Sequence, residues 1–375
     1  MMDKLYLPKR ILNFFKKNVE MSIALLAAVI TCFFVPPDKQ YINYFDFKTL
    51  TCLFCVLAVV CAFKNIKFFY IIAARIVRLF KNARLTVIAL VYITFIGSML
   101  IANDMALLTF LPLGFFVLTQ TDKQKYMAFT FVMQNIAANL GGMLTPFGNP
   151  QNLYIYTKYQ IPNIEFMGIM LPHFALAICL ITLCCIIFVK PEPLVASEDK
   201  NTLPPLKTVI YCILFVFAIA IVFRGIPYYF GLVVIPAFLL VMDRKALKMV
   251  DYPLLMTFVF FFVFSGNMSR IEAVRDFFSF LLEKSTLLVS IFCCQFISNV
   301  PSSILLSQFT QNYKELLVGV NIGGTGTVIA SLASLITLRE YAVHYPEKLG
   351  KYFKLFTLMN VVFLVIMTTF ALFIV

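Results

Sequence analysis

Residues 139–152 read Asn-Leu-Gly-Gly-Met-Leu-Thr-Pro-Phe-Gly-Asn-Pro-Gln-Asn inside an otherwise apolar segment. Glycine and proline are poor helix formers, so this stretch predicts a break in a membrane helix. The pattern returns 182 residues later, about half the chain away, where residues 321–334 read Asn-Ile-Gly-Gly-Thr-Gly-Thr-Val-Ile-Ala-Ser-Leu-Ala-Ser. Helix-breaking residues at matching places in two halves are typical of transporters built from two structural repeats.

The composition of the 375-residue chain is that of a membrane protein. Hydrophobic residues make up 61% and charged residues only 13%, with a mean hydropathy of +0.91. Soluble domains carry about 25% charged residues. We therefore predict an all-α polytopic membrane protein, in which the lipid bilayer is the main partner. The net charge of +13 comes from short basic clusters between apolar runs, as in cytoplasmic loops, so no nucleic-acid partner is expected.

The sequence offers no catalytic cluster. Its two histidines, His173 and His344, are isolated, and most of its ten cysteines lie inside apolar runs, where cysteine usually acts as a small hydrophobic residue. Cys52 and Cys55 form a C-x-x-C pair without the second pair that a metal site would need. We therefore predict that the protein is not an enzyme and carries no cofactor.

The apolar segments predict about nine spans and two re-entrant hairpins. The chain divides into four parts, namely a basic amphipathic segment at 1–20, a first transmembrane repeat at 21–189, a cytoplasmic linker at 190–207 and a second transmembrane repeat at 208–375. Each repeat is predicted to contain one hairpin and one broken helix.

The first hairpin is predicted at 85–121, an apolar run of about 37 residues with Asp104 as its single charge. One span needs about 20 residues, and basic residues flank both ends of this run, so it should enter and leave the membrane on the same side. The second hairpin is predicted at 285–310. The broken helices are expected at 126–156 and 316–338.

The distribution of basic residues predicts the orientation. Cytoplasmic loops carry an excess of lysine and arginine. With the N-terminus inside, only eight of the 31 basic residues face outward, namely Lys39, Lys48, Lys158, Arg224, Arg270, Arg275, Lys284 and Lys314. We therefore expect the protein in the cytoplasmic membrane with its N-terminus inside and its C-terminus outside. The hairpins then enter from opposite faces, and the two repeats have inverted topology.

Hairpin tips and helix breaks predict a composite binding site. A helix broken at bilayer depth frees backbone groups that protein or a watery cavity must satisfy. Half-helix N-termini carry partial positive charge and suit anions, whereas freed carbonyls and Asn or Ser oxygens suit small cations. Two tips that meet two breaks therefore indicate one site for a small anion and a coupling cation, either sodium or protons.

Four short motifs carry a family resemblance. They are Ala102-Asn103-Asp104 and Ser298-Asn299-Val300-Pro301 at the hairpin tips, and Gly148-Asn149-Pro150-Gln151-Asn152 and Ala330-Ser331 at the breaks. Their order resembles the ion transporter superfamily, in particular the divalent anion:sodium symporters and citrate-transporter-like permeases. The Ala-Asn-Asp form of the first tip is similar to the arsenite-permease and citrate-transporter-like branch.

The resemblance implies roles for particular residues. One cation would be held by Asn103 with the backbone of Ala102 and Gly148, and a second by Asn299 with the backbone of Ser298 and Ala330. The substrate anion would contact Asn103, Asp104, Asn149, Asn299 and Ser331. The resemblance is also compatible with a homodimer.

The tips depart from the symporter pattern. Asp104 and Val300 stand where that pattern has threonines, and Pro301 follows Val300. The two missing hydroxyls would have bound substrate carboxylates, so their loss counts against a dicarboxylate as the substrate. The added acid, Asp104, favours proton coupling, because a lone intramembrane carboxylate is a natural proton carrier.

The leading hypothesis is a secondary active transporter for a small anion, a di- or tricarboxylate or an inorganic oxyanion, driven by sodium or protons. The alternative is an arsenite exporter or a cation/proton antiporter of the same superfamily that uses Asp104. Structural roles stay open beside these. Asp104 could cap a helix, Asn149 could satisfy broken backbone, and the glycine pairs 141–142 and 323–324 could serve close helix packing.

Overall fold

The structure is a computed structural model that describes residues 14–16, 18–194 and 202–374. The amphipathic segment predicted at 1–20 lies mostly outside these residues, as does the middle of the linker predicted at 190–207. The described chain is almost entirely helical, and an isolated bridge between Asn82 and Pro193 is its one β-contact.

From residue 19 onward, the described part of the first half contains eight α-helices. In chain order they are α1 (Val19–Phe34), α2 (Phe47–Asn65), α3 (Phe68–Val77), α4 (Ala83–Ile101), α5 (Asn103–Gln120), α6 (Met127–Gly141), α7 (Pro150–Lys158) and α8 (Asn163–Phe188).

The described part of the second half, residues 202–374, contains ten. They are α9 (Pro205–Val222), α10 (Tyr228–Met242), α11 (Arg244–Lys248), α12 (Tyr252–Arg270), α13 (Glu272–Lys284), α14 (Thr286–Ile297), α15 (Asn299–Leu306), α16 (Tyr313–Ile322), α17 (Leu332–His344) and α18 (Leu349–Ile374).

These helices account for the predicted spans. Of the described helices outside the hairpins, α2, α8, α9, α12 and α18 are long and apolar enough to cross a membrane singly. The shorter apolar helices α1 and α10, with the broken pairs α6–α7 and α16–α17, bring the number of spans among the described residues to nine. The predicted fold class, an all-α polytopic membrane protein with two repeats, is confirmed.

Polar side chains begin several of the helices. In each case a side-chain oxygen accepts a hydrogen bond from the backbone N–H three residues later, which satisfies one of the free donors of the first turn. These residues are Asp46 before α2, Asn82 before α4, Asp251 before α12, Ser285 before α14 and Asn312 before α16. Local sequence therefore determines where these helices start.

Two helix pairs turn back on themselves as hairpins. Helices α4 and α5 join at Ala102, with φ 64° and ψ 154°, and helices α14 and α15 join at Ser298, with φ 72° and ψ 160°. Residues with a Cβ rarely adopt this backbone conformation, which costs about 1–3 kcal/mol. The matching hinges make the hairpins equivalent elements of the two repeats, each with a strained residue at its tip.

The first hairpin begins and ends at the C-terminal end of α8. The Arg84 guanidinium, at the start of α4, donates to the Val189 carbonyl at 2.7 Å. Lys123, just after α5, pairs with the Glu192 carboxylate at 3.0 Å. Hydrogen bonds, foremost that from Lys125, lower the pKa of Glu192 to about 2, so the contact stays charged at neutral pH.

The second hairpin begins and ends at the opposite end of α8. The Thr286 and Thr310 hydroxyls lie 3.3 Å apart at its two ends. The Tyr159 hydroxyl, four residues before α8, donates to the Thr310 carbonyl at 2.7 Å. Because α8 has 26 residues and is therefore about 39 Å long, the two hairpins enter from opposite faces. The repeats are inverted in topology.

The helices form two groups. Helix α1 packs along α12, and α2 packs against α9 and α10. The hairpins pack with the broken helices, which in turn contact α8 and α18. The two groups meet where α12 contacts α15 and where α2 contacts α7.

The hinge conformation yields a stability prediction. Ala102→Gly should raise the unfolding temperature in detergent because glycine adopts this conformation without strain, whereas Ala102→Val should lower it. Ala106→Gly, one turn later in α5, is the control and should lower stability by about 1 kcal/mol. Equal losses for both glycine substitutions would show that Ala102 is not strained.

Candidate transport site

Four helix N-termini surround one small cavity between the two helix groups. It is lined by the first residues of α5, α7, α15 and α17 and by side chains of α1 and α12. The lining residues are Glu20, Asn103, Asp104, Pro150, Gln151, Leu254, Thr257, Ser298, Asn299, Val300, Pro301, Ser331 and Leu332. Its free volume, about 20 Å³, holds one water molecule or a small ion in this conformation.

The first hairpin tip lies against the first helix break. A Cβ at Gly142 would stand 3.3 Å from the Asn103 Oδ1 and 2.9 Å from the Gly148 carbonyl oxygen. The Asn103 amide donates to the Asn139 side chain at 3.5 Å, but its Oδ1 is buried without a hydrogen-bond partner in the described chain. An unpaired buried oxygen of this kind is costly and suits a bound cation.

The second tip repeats this arrangement. A Cβ at Gly324, the repeat equivalent of Gly142, would stand 3.0 Å from the Asn299 Nδ2. The Asn299 Oδ1 accepts the Val300 N–H at 2.9 Å, and the Ser298 hydroxyl lies 3.4 Å from the Ala330 carbonyl. Each tip asparagine therefore contacts the second glycine of a Gly-Gly pair.

The first glycine of each pair serves packing. A Cβ at Gly141 would stand 2.2 Å from the Phe95 carbonyl of α4, and one at Gly323 would stand 2.9 Å from the Cys294 Cβ of α14. Close approach thus lets the broken helices contact the first arm of each hairpin, while the second glycines face the site.

Asn149 and Ser331 begin the second halves of the broken helices. The Asn149 Oδ1 accepts the Asn152 N–H at 3.0 Å, and the Ser331 Oγ accepts the Ser334 N–H at 3.2 Å. Asn149 also donates to the Asn321 side chain at 3.0 Å, which links the two repeats. Ser331 lines the cavity, whereas Asn149 lies buried behind it.

The hinge carbonyls are engaged in helix hydrogen bonds. The Ala102 carbonyl accepts the Ala106 N–H at 3.0 Å. The Ser298 carbonyl accepts both the N–H and the hydroxyl of Ser302, at 3.2 and 2.7 Å. Side-chain oxygens are therefore better placed than these two carbonyls to hold a cation.

Two carboxylates line the cavity. Asp104 is the second residue of α5 and, within the described chain, accepts no hydrogen bond from another side chain. Glu20 reaches the cavity from α1, in the other helix group. Sequence reasoning missed Glu20 because it closes the basic segment at 1–20, where it reads as a surface residue.

Gln151 and Thr257 were also missed. The Gln151 Oε1 is buried and lacks a partner in the described chain, like the Asn103 Oδ1. Its position within the motif Gly148–Asn152 was the sequence feature that could have indicated a place in the site. Thr257 comes from α12, and nothing in the local sequence indicates that it faces the tips.

Two re-entrant tips and two broken helices around one cavity, in inverted repeats, define a secondary-transporter fold. The comparisons with known proteins agree with this class. The chain belongs to the CitMHS family of citrate transporters, whose family model matches residues 12–314.

Curated relatives support the family assignment, and a solved structure shares the fold. The chain is 32% identical over 295 residues to an uncharacterized transporter of Methanocaldococcus jannaschii, covering 78% of this chain and 81% of that protein. It is 27% identical over 326 residues to the inner membrane protein YbiR of Escherichia coli, covering 84% and 86%. The YdaH transporter of Alcanivorax borkumensis shares the fold, with a TM-score of 0.57 at 13% identity, covering 89% of this chain and 86% of that one.

The glycine contacts predict that alanine substitutions at two different glycines will affect stability differently. Gly142→Ala should lower stability by about 1–3 kcal/mol because its Cβ would overlap the Gly148 carbonyl, a backbone atom that cannot easily move. Gly168→Ala in α8, where a Cβ meets nothing within 4 Å, is the matched control and should be neutral or stabilising. Thermal unfolding in detergent measures both, and equal effects would contradict the predicted contact.

Proposed function

We propose that the protein is a secondary active transporter that moves a small anion across the cytoplasmic membrane, driven by sodium or protons. The anion is of the di- or tricarboxylate or inorganic oxyanion class. The observation that carries this proposal is the meeting of four helix N-termini at one cavity that also holds unpaired side-chain oxygens.

The helix N-termini favour an anion. The first turn of each carries a partial positive charge of about half a unit. The side-chain amides of Asn103 and Asn299 add neutral donors beside these termini. Such an arrangement binds a negative group without a fixed basic residue, so the site is not permanently filled by its own ion pairs.

The unpaired oxygens favour a cation close to the anion. The Asn103 Oδ1 lies near the Gly148 carbonyl, with Gly142 between them. The Gln151 Oε1 supplies a second buried oxygen. Sodium prefers oxygen ligands of this kind, and burial makes the electrostatic interaction between a bound cation and an anion stronger than it is in water.

Asp104 and Glu20 supply a physical reason for coupling. Charged carboxylates beside the site repel an anion, and burial strengthens that repulsion. Binding of sodium or of a proton removes it. The anion therefore binds well only when the coupling ion is present, which links the two fluxes.

The proposal includes an orientation. The N-terminus inside and the C-terminus outside follow from the excess of basic residues on one face. A homodimer remains a hypothesis that rests on the family resemblance. Membership of a citrate transporter family favours the anion transporter over the arsenite exporter or cation/proton antiporter.

Reconstituted uptake tests the proposal. Purified protein in proteoliposomes should accumulate citrate, succinate, sulfate or phosphate when a sodium or proton gradient is imposed. Dissipating the gradient with an ionophore should abolish accumulation. If no anion of this set moves under either gradient, the proposed function is wrong.

Two variants and one control test the roles of Asn103 and Asp104 in transport. Asn103→Ala should lower kcat/KM for the transported anion about tenfold or more, since loss of a ligand to a charged group costs about 1.5–3 kcal/mol. Asn312→Ala makes the same change on an exposed helix start and should leave uptake unchanged. Asp104→Asn removes one of the two charges that the coupling ion has to neutralise, so anion uptake should depend less on the imposed gradient. An unchanged dependence on the gradient would show that Asp104 takes no part in coupling.

A further inference from the structure

A second, larger cavity lies beside the transport site. Its volume is about 400 Å³, against about 20 Å³ for the transport site, and most of its lining is polar. We call it the outer vestibule, lined among others by Asp46, Lys48, Tyr154, Lys158, Phe262 and Gln308. It is large enough for a small organic or inorganic anion.

Two helices, α7 and α12, line both the outer vestibule and the transport site. Helix α7 lines the transport site with Gln151 and the vestibule with Tyr154 and Lys158. Seven residues of helix separate Gln151 from Lys158, a rise of about 10 Å. Helix α12 likewise passes from Thr257 to Phe262, and both cavities lie where the two helix groups meet.

An aromatic pair lies at the vestibule wall. The Tyr154 and Phe262 rings, one from each helix group, are 5.7 Å apart. The Tyr154 hydroxyl lies 2.8 Å from the Ser307 hydroxyl. The contact joins the two groups at the side of the vestibule nearer the transport site, so relative movement of the groups would alter passage between the cavities.

The charge of the vestibule is positive. Lys158 donates to the Ser307 hydroxyl at 3.1 Å and lies 5.8 Å from the Tyr154 ring centre, and neither it nor Lys48 has a carboxylate partner in the described chain. Asp46 is the one acidic lining residue, and its oxygens accept the N–H and hydroxyl of Thr49. Two lysines without ion pairs in a polar cavity attract anions.

We propose that the outer vestibule is an anion-binding site that receives a carboxylate or oxyanion before it enters the transport site. Lys48 and Lys158 hold the anion, and the Tyr154–Phe262 pair separates it from the transport site. The inference rests on the proposed function for the fate of the anion, whereas binding in the vestibule is measurable without transport.

Thiol labelling in detergent tests the proposal. Ser269 lines the vestibule, and Ser269→Cys places a thiol there. Each rate is divided by that reagent's rate with free cysteine, because the cationic reagent is intrinsically the more reactive. On this scale a sulfonate-bearing methanethiosulfonate reagent should modify position 269 roughly 3–10 times faster than a trimethylammonium analogue, because the lysines concentrate anions. Mass spectrometry of the peptide containing position 269 separates this modification from that of the native cysteines.

Two further measurements test whether the lysines bind an anion: labelling after substitution of both lysines, and labelling in the presence of a competing anion. Adding Lys48→Gln and Lys158→Gln should bring the ratio of the two rates close to one. Sodium sulfate or sodium citrate should slow the sulfonate reagent more than sodium chloride of equal ionic strength. Gln311→Cys, exposed and outside the vestibule, is the control, and its rates should not respond to the lysine substitutions.

Two results would overturn the inference. They are a rate ratio at position 269 that is insensitive to both lysine substitutions, and the lack of any protection by sulfate or citrate beyond that by chloride. Failure of anion uptake would instead contradict the proposed function, and the labelling readout would be unaffected.

Discussion

The whole arrangement depends on satisfying the backbone of helices that stop inside a membrane. Lipid offers no hydrogen bonds, so every interrupted helix needs partners from the protein. Asn152 lies 3.1–3.2 Å from the carbonyls of Gly142, Met143 and Thr145 at the first break. In the second repeat, Gln295 lies 3.2 Å from the carbonyl of Thr325, the repeat equivalent of Met143, and 2.9 Å from the Gly323 carbonyl. With these carbonyls paired, the helix N-termini remain free to face the cavity.

Polar groups that stabilise the broken helices are thus distinct from those that remain available to a ligand. Asn149 and Ser331 cap helices, and the hinge carbonyls are used in the first turns. What is left over is a set of positive helix ends, two unpaired amide oxygens and two carboxylates. An anion and a cation placed there neutralise each other in a low-dielectric setting, so strong mutual dependence of their binding is the natural consequence.

The sequence predicted the fold well, because glycine and proline interrupt helices locally and because a 37-residue apolar run with basic ends is too long for one span and favours a hairpin. It predicted the site less completely. Glu20 and Thr257 reach the cavity through the packing of α1 and α12 against the hairpin tips, a tertiary contact without a local signal. The outer vestibule could not be predicted from the sequence for the same reason, since Lys48 and Lys158 lie far apart along the chain.

Cross-linking shows whether the two hairpin tips converge at one cavity. The double variant Asn103→Cys with Asn299→Cys, in membranes, is treated with a short bifunctional methanethiosulfonate reagent, and linked peptides are identified by mass spectrometry. Since both side chains line the same small cavity, we predict an efficient cross-link between positions 103 and 299. If these positions each react with the reagent but never link to one another, the tips do not meet, and the proposed transport site does not exist.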